Sequence, residues 1–137
     1  MQMTEKQANG QKSELLAEYY LINKGYVVSK PINDFSEYDF IIDDENVLAT
    51  VQVKTVYFDN SKKRWIGSCV TSHIRGNSRR INKKYTEKSF DYGLFICKEH
   101  NKAYLIPIAL IAGRRSITFY PDANTDKGFE IYRDILM

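Results

Sequence analysis

The 137-residue chain is 43% hydrophobic and 13% aromatic, which is enough apolar surface for one core, and its net charge is +3. This composition excludes a disordered chain, and no apolar run approaches the roughly 18–20 residues of a transmembrane helix. The polar start MQMTEKQANGQK lacks the apolar stretch of a signal peptide, so we expect one cytoplasmic domain over residues 1–137 that does not bind a membrane.

The first half of the chain predicts a helix followed by three strands. Apolar residues at helical spacing predict an amphipathic helix over residues 13–24, which ends at Gly25. A short strand over 26–31 follows. The next strands, 38–43 and 47–58, are separated by the polar sequence DDEN, and we expect them to form a hairpin.

The second half predicts further strands with short connections. Strands are expected over 64–71, 92–97, 103–108 and 117–121, with a short helix over 108–113 and a C-terminal helix over 128–137. The segment ITFYPD (117–122) is either a core strand or part of a subunit contact. The order of elements predicts an α/β fold with a mixed central β-sheet flanked by helices.

Positive charge is concentrated between residues 62 and 88. This segment has nine basic residues and one acidic residue, so it carries +8 in a chain of net charge +3. Such a segment either binds a phosphate backbone or forms a solvated cationic surface, and its Gly, Asn and Ser residues predict a loop with one helical turn. The residues predicted to bind DNA are Lys62, Lys63, Arg64, Arg75, Arg79, Arg80, Lys83 and Lys84.

Two polar residues interrupt the apolar run TVQVKT (50–55). Because side chains alternate along a strand, Gln52 and Lys54 point to the same face. Asp39 begins the preceding strand and can approach the later part of this run across the hairpin, and Glu14 can reach the same edge from the helix. The alternatives are a solvated surface strand and a structural salt-bridge cluster.

Carboxylate and amide oxygens are ligands that suit Mg²⁺, with Mn²⁺ as a substitute. Magnesium bound here would polarise a phosphodiester and lower the pKa of an attacking water. Lys54 would orient that water or offset the charge that develops on the phosphate. These residues therefore predict cleavage of phosphodiester bonds.

The order of these motifs resembles a known family. The segments GQKSELLAEYYLINKGYVVSKP, YDFII and VQVKT, followed by YTEKSFDYGLFI and AYLIPI, look like the PD-(D/E)XK nuclease superfamily. They look most like its branch of group I intron homing endonucleases, which carries a QxK motif. The resemblance extends from about residue 10 to residue 121 and implies a restriction-endonuclease-like core.

The resemblance implies a role for each site residue. Asp39 corresponds to the metal-binding aspartate of the family, Lys54 to its catalytic lysine, and Glu14 to the acid of its first helix. Gln52 stands where most of the superfamily has a carboxylate, and it would bind the metal together with the Val53 backbone carbonyl. Glu37 is the alternative to Asp39.

The implied activity is Mg²⁺-dependent, site-specific cleavage of double-stranded DNA by a homodimer or homotetramer. Because one active site cuts one strand, cleavage of both strands requires at least two copies. The alternatives are a Holliday-junction resolvase-like nuclease and a non-catalytic DNA-binding module on the same fold.

Overall fold

The computed structural model describes residues 2–33, 36–75 and 79–137, and for residues 72–75 and 79–81 the description is confined to the backbone. One α-helix, α1 (Glu5–Asn23), opens this part of the chain. Ten strands follow: β1 (Val27–Ser29), β2 (Phe40–Asp44), β3 (Val47–Asp59), β4 (Arg64–Ser68), β5 (Val70–Arg75), β6 (Arg79–Lys84), β7 (Tyr92–Cys97), β8 (Lys102–Pro107), β9 (Ser116–Phe119) and β10 (Arg133–Ile135). Short 3₁₀ helices span Lys98–His100, Ile108–Leu110 and Gly128–Tyr132.

Helix α1 begins earlier than residue 13, where the sequence predicted its start. The Thr4 hydroxyl accepts a hydrogen bond from the Gln7 amide at 3.1 Å, and the Gln7 side chain accepts one from the Thr4 amide at 2.9 Å. This capping box satisfies two backbone donors that the first turn leaves unpaired, so the polar start of the chain is helical. The helix ends as predicted, with Gly25 at a φ of 95° just beyond it.

The described strands form a mixed sheet and a separate ribbon. In the sheet, the order is β1-β2-β3-β7-β8-β10, and β4 pairs with both β3 and β9. Strands β3 and β7 are parallel, whereas the other pairs are antiparallel. The predicted hairpin of β2 and β3 is confirmed, and its turn residues Glu45 and Asn46 both have positive φ, as tight hairpin turns require.

The mixed α/β fold is confirmed, but two predicted elements differ. The basic segment, predicted as a loop with a helical turn, contains the antiparallel hairpin of β5 and β6. The C-terminal helix predicted over 128–137 is a 3₁₀ helix followed by β10. In the described residues, α1 is therefore the only α-helix that flanks the sheet.

The core lies on both faces of the sheet. On one face, α1 buries Ala17, Tyr20 and Leu21 against the sheet. On the other face, a cluster that includes Val56, Tyr85, Phe90, Phe95, Tyr104 and Phe119 is buried without a covering α-helix in the described residues. Cys69 and Cys97 are free and buried. No helix in the described part of the chain is long and apolar enough to cross a membrane.

Candidate active site

Strand β3 changes partner along its length. Strand β2 pairs with Val47–Val51 on one edge, β7 pairs with Val51–Thr55 on the opposite edge, and β4 pairs with Val56–Asp59. Beyond Val51, residues 52–55 therefore have no strand neighbour on the β2 edge among the described residues, and we call this stretch the gap. Backbone polar groups in such a gap must find another partner, because an unpaired backbone donor or acceptor inside a protein is costly.

Asp39 occupies this gap. Its amide donates to the Val51 carbonyl oxygen at 2.8 Å, which continues the ladder one residue beyond β2. Its carboxylate oxygen Oδ2 then accepts a hydrogen bond from the Val53 amide, also at 2.8 Å. The structure thus confirms that Asp39 approaches the later part of TVQVKT. Glu37, the alternative, is exposed and makes none of the described hydrogen bonds to β3.

Glu14 of α1 lies beside Asp39, close enough for each carboxyl group to affect the pKa of the other. Partial burial raises the pKa of Glu14, and the charge of Asp39 raises it further. Burial also raises the pKa of Asp39, although the Val53 amide, the interaction with Glu14 and the charge of Lys54 act in the opposite direction. Two adjacent carboxylates repel each other, and a cation bound between them would offset that repulsion.

Gln52 and Lys54 lie half-buried on one face of β3, as the alternation predicted. The Gln52 side-chain amide donates a long hydrogen bond of 3.4 Å to the Val53 carbonyl oxygen. The N–H and C=O of one strand residue point to the same side, so the Val53 carbonyl faces the gap that Asp39 occupies. The amide and carbonyl that were predicted as ligands are therefore neighbours.

The Lys54 ammonium group is held by two contacts. It donates to the Val70 carbonyl oxygen at 3.1 Å, and it lies 4.8 Å from the centre of the Tyr85 ring. Burial lowers the pKa of Lys54, and the charge of Asp39 opposes this effect. The Tyr85 ring is buried and packs edge-to-face against Phe90, with their centroids 4.8 Å apart. Sequence reasoning missed Tyr85, because nothing in its local pattern links it to Lys54.

The donor set suits a hard divalent cation. It consists of two carboxylates, one side-chain amide and one backbone carbonyl, so every available ligand atom is oxygen. Coordination by Gln52 requires its oxygen rather than its nitrogen, which a half-turn of the amide group provides. The described residues contain no group of three or more His, Cys, Asp and Glu that could hold a metal.

A cavity of about 360 Å³ opens at the carboxylates. Its walls include Glu14, Lys30 and Asp39. Lys30 forms an ion pair with Glu18 at 2.9 Å, and its charge acts to lower the pKa of Glu14. Solvent and a phosphate group can therefore reach the carboxyl pair from this side.

The predicted DNA-binding residues lie in two places. Lys62, Lys63 and Arg64 lie in and just after the turn from β3 to β4, and the Arg64 Nε is buried with no hydrogen-bond partner among the described residues. Lys83 and Lys84 are exposed on β6. The side chains of Arg75, Arg79 and Arg80 lie outside the described residues, although their backbone forms the outer end of the β5–β6 hairpin.

A mixed sheet with a carboxylate, an amide and a lysine at a gap beside its central strand defines a nuclease-like site. The family model for PD-(D/E)XK endonucleases matches residues 3–127, and the chain belongs to this family. Among curated proteins, none matches the sequence.

The fold is similar to that of two solved structures. The first, a bacterial homing endonuclease, I-Ssp6803I, has a TM-score of 0.80 at 20% identity, over 95% of this chain and 89% of that one. The second, MepB, has a TM-score of 0.47 at 17% identity, over 90% of this chain and 96% of that one. At these identities, the likeness to I-Ssp6803I concerns the fold.

Proposed function

We propose that the protein is a Mg²⁺-dependent DNA endonuclease of the homing type, which cleaves double-stranded DNA as a homodimer or homotetramer. The observation that carries this proposal is the hydrogen bond from the Val53 amide to the Asp39 carboxylate, with Gln52 and Lys54 next to Val53 on one face of β3. The glutamine at position 52 and the fold similarity to a bacterial homing endonuclease support the homing assignment.

Asp39, Gln52 and the Val53 carbonyl are the proposed metal ligands, and Glu14 is an additional one. The bound Mg²⁺ would supply a Lewis acid for the scissile phosphate and a lowered pKa for water. The carboxyl groups of Glu14 and Asp39 must both be ionised to bind it, and their pKa values are raised, so Mg²⁺ binding is expected to strengthen as the pH rises.

Lys54 acts on the phosphate group. Its ammonium group is fixed by the Val70 carbonyl and the Tyr85 ring, so it needs no reorganisation when negative charge develops on the phosphate oxygens. Partial burial strengthens this interaction, because the local dielectric is lower than that of water. Lys54 is therefore the proposed electrostatic catalyst, and its position also allows it to orient the attacking water.

The experiment that tests this function is incubation of supercoiled plasmid with the purified protein. We expect nicked or linear product with Mg²⁺ and none with EDTA. A comparison of four-way junctions with linear duplex of the same sequence separates the homing and resolvase alternatives. Binding of DNA without cleavage under any Mg²⁺ or Mn²⁺ condition would instead identify a non-catalytic module.

Substitutions of Gln52 test its role as a ligand. We expect Gln52→Glu to retain Mg²⁺ binding, because glutamate supplies an oxygen at the same position together with a negative charge. Gln52→Ala is expected to weaken binding about tenfold or more, because one ligand is lost. Isothermal titration with Mg²⁺ measures both variants against the wild type, and equal affinities for all three proteins would exclude residue 52 as a ligand.

The basic hairpin is expected to bind phosphates of duplex DNA. If Lys83 and Lys84 each neutralise one phosphate, the double alanine variant should reduce the slope of log affinity against log salt by about 1.8, at about 0.9 per contact. The matched control is the double variant Lys12→Ala, Lys127→Ala, which removes two exposed lysines elsewhere. Anisotropy titrations with labelled duplex at several salt concentrations give the slopes, and equal slopes for the two double variants would place the DNA elsewhere.

A further inference from the structure

A second cavity, of about 770 Å³, has Lys54 in its wall. It is lined by the N-terminal half of α1, by residues 53–57 of β3 and by the base of the β5–β6 hairpin. Its walls include Lys6, Gly10, Lys54, Tyr57, Val70 and Asn82. We call this cavity the α1–β3 groove. Val53 and Lys54 line it, whereas Asp39 lines the smaller cavity, so proposed site residues contribute to both cavities.

The charge of the α1–β3 groove favours an anion. The ammonium groups of Lys6 and Lys54 both line it, and Glu5 is the acid among its walls. Neither Lys6 nor Lys54 forms an ion pair with a carboxylate among the described residues. Two cations that share one cavity repel each other, and a phosphate group between them would remove that repulsion.

An aromatic ring and an open stretch of helix complete the α1–β3 groove. The Tyr57 side chain is 49% exposed although it lies on a long central strand. Gly10, which also lines the groove, has no side chain, and apart from the adjacent helix backbone no atom lies within 4 Å of the position that its Cβ would occupy. No side chain fills this part of the helix wall, which leaves space for a flat group in the groove that Tyr57 lines.

Cations combined with an exposed ring are typical of sites for single-stranded nucleic acid. Each lysine neutralises a backbone phosphate, and an aromatic side chain stacks on a base of any sequence. Bases within a duplex are already stacked on their neighbours, so only an unpaired base can lie flat on the ring. A volume of about 770 Å³ is within the range of roughly 300–1,000 Å³ that encloses organic ligands.

We propose that the α1–β3 groove binds an unpaired DNA strand next to the cleaved phosphodiester, with Lys6 on a phosphate and Tyr57 stacked on a base. This inference rests on the proposed nuclease function and adds a second DNA surface to the basic hairpin. In this arrangement the basic hairpin binds the duplex, and the α1–β3 groove binds a strand that is no longer paired in that duplex. The enzyme would therefore cut DNA with an unpaired segment beside the cleavage site faster than blunt duplex.

The test is binding of a labelled single-stranded (dT)₁₂ oligonucleotide, measured by anisotropy in EDTA so that no cleavage occurs. Lys6→Ala should weaken binding several-fold and reduce the salt slope by about 0.7, which is the value for one phosphate contact on a single strand. Tyr57→Ala should weaken binding about tenfold without changing the slope, in line with the loss of one stacked base. Tyr57→Phe, which keeps the ring, should bind as the wild type does.

The control variants come from the same helix. Lys12 and Tyr19 are both exposed on α1, Tyr19 is 48% exposed, and neither lines the groove. Lys12→Ala and Tyr19→Ala should therefore bind (dT)₁₂ as the wild type does. Blunt duplex should show the opposite pattern, with a large loss for the Lys83 and Lys84 double variant and little change for Lys6→Ala and Tyr57→Ala. Thermal unfolding verifies that each variant is folded.

Each outcome has one interpretation. If Lys6→Ala and Tyr57→Ala bind (dT)₁₂ no more weakly than the two controls, the groove is not a strand-binding site, whereas the nuclease proposal stands. If both variants weaken duplex and single strand equally, the groove does not select an unpaired strand, and the proposal is wrong. If the wild type binds neither DNA, the proposed function fails and this inference fails with it.

Discussion

Replacement of Asp39 by asparagine is expected to reduce DNA cleavage by about a thousandfold. The carboxylate of Asp39 is the proposed metal ligand, and one of its oxygens is held by the Val53 amide at 2.8 Å. Asparagine keeps an oxygen for that hydrogen bond but removes the negative charge that a divalent cation requires. Loss of the metal removes the main source of charge stabilisation in the transition state, and such losses reduce rates by orders of magnitude.

The affinity for DNA and the stability of the Asp39→Asn variant should change little. The substitution relieves the repulsion between two neighbouring carboxyl groups, which raises the pKa of Glu14 in the wild type. Asp44→Asn is the matched control, because Asp44 is an exposed residue of the same strand. Single-turnover rates measured with all three proteins give the comparison, and wild-type cleavage by Asp39→Asn would remove Asp39 from the site.

Replacement of Lys54 by methionine is expected to reduce the cleavage rate by about a hundredfold to a thousandfold, while metal binding is retained. Methionine keeps the length of the side chain but removes the ammonium group that we propose acts on the phosphate. The fold should tolerate the change, because the loss of the hydrogen bond to Val70 is offset by the removal of a buried charge.

The proposed roles of Lys54 and Asp39 can be distinguished by comparing the Mg²⁺ affinity and the maximal rate of the two variants. In the Lys54→Met variant, Mg²⁺ titration should give the wild-type affinity with a lower maximal rate, whereas Asp39→Asn should lose the affinity itself. Lys102→Met is the control, because Lys102 is a half-buried lysine on β8, away from the gap in β3. A Lys54→Met rate equal to that of the control would mean that this ammonium group does not act on the phosphate.

The parts of the site that depend on local periodicity were predictable from the sequence. Alternation along a strand placed Gln52 and Lys54 on one face, and the polar turn sequence predicted the hairpin that brings Asp39 to Val53. Both inferences involve residues within about fifteen positions of each other, where strand geometry and turn chemistry determine the outcome.

The parts that depend on distant contacts were not predictable. Tyr85 reaches Lys54 only because the chain returns to the sheet after the β5–β6 hairpin, and no short pattern encodes that return. The basic segment was predicted as a loop because its Gly and Asn residues are typical of breaks in regular secondary structure. Backbone pairing between β5 and β6 nevertheless forms a hairpin there. The start of α1 was missed because a capping box outweighed the polar composition of residues 5–12.

The measurement that tests the proposed site most directly is anomalous diffraction from crystals of the full chain grown with Mn²⁺ and DNA. Manganese takes the same oxygen ligands as magnesium and gives a strong anomalous signal, so its position identifies its ligands without an activity assay. We predict a peak bound to the Asp39 carboxylate and the Val53 carbonyl, with Gln52 oriented towards it, and no peak there in the Asp39→Asn variant. A metal ion bound elsewhere while this site stays empty, or a peak that persists in the variant, would contradict the account.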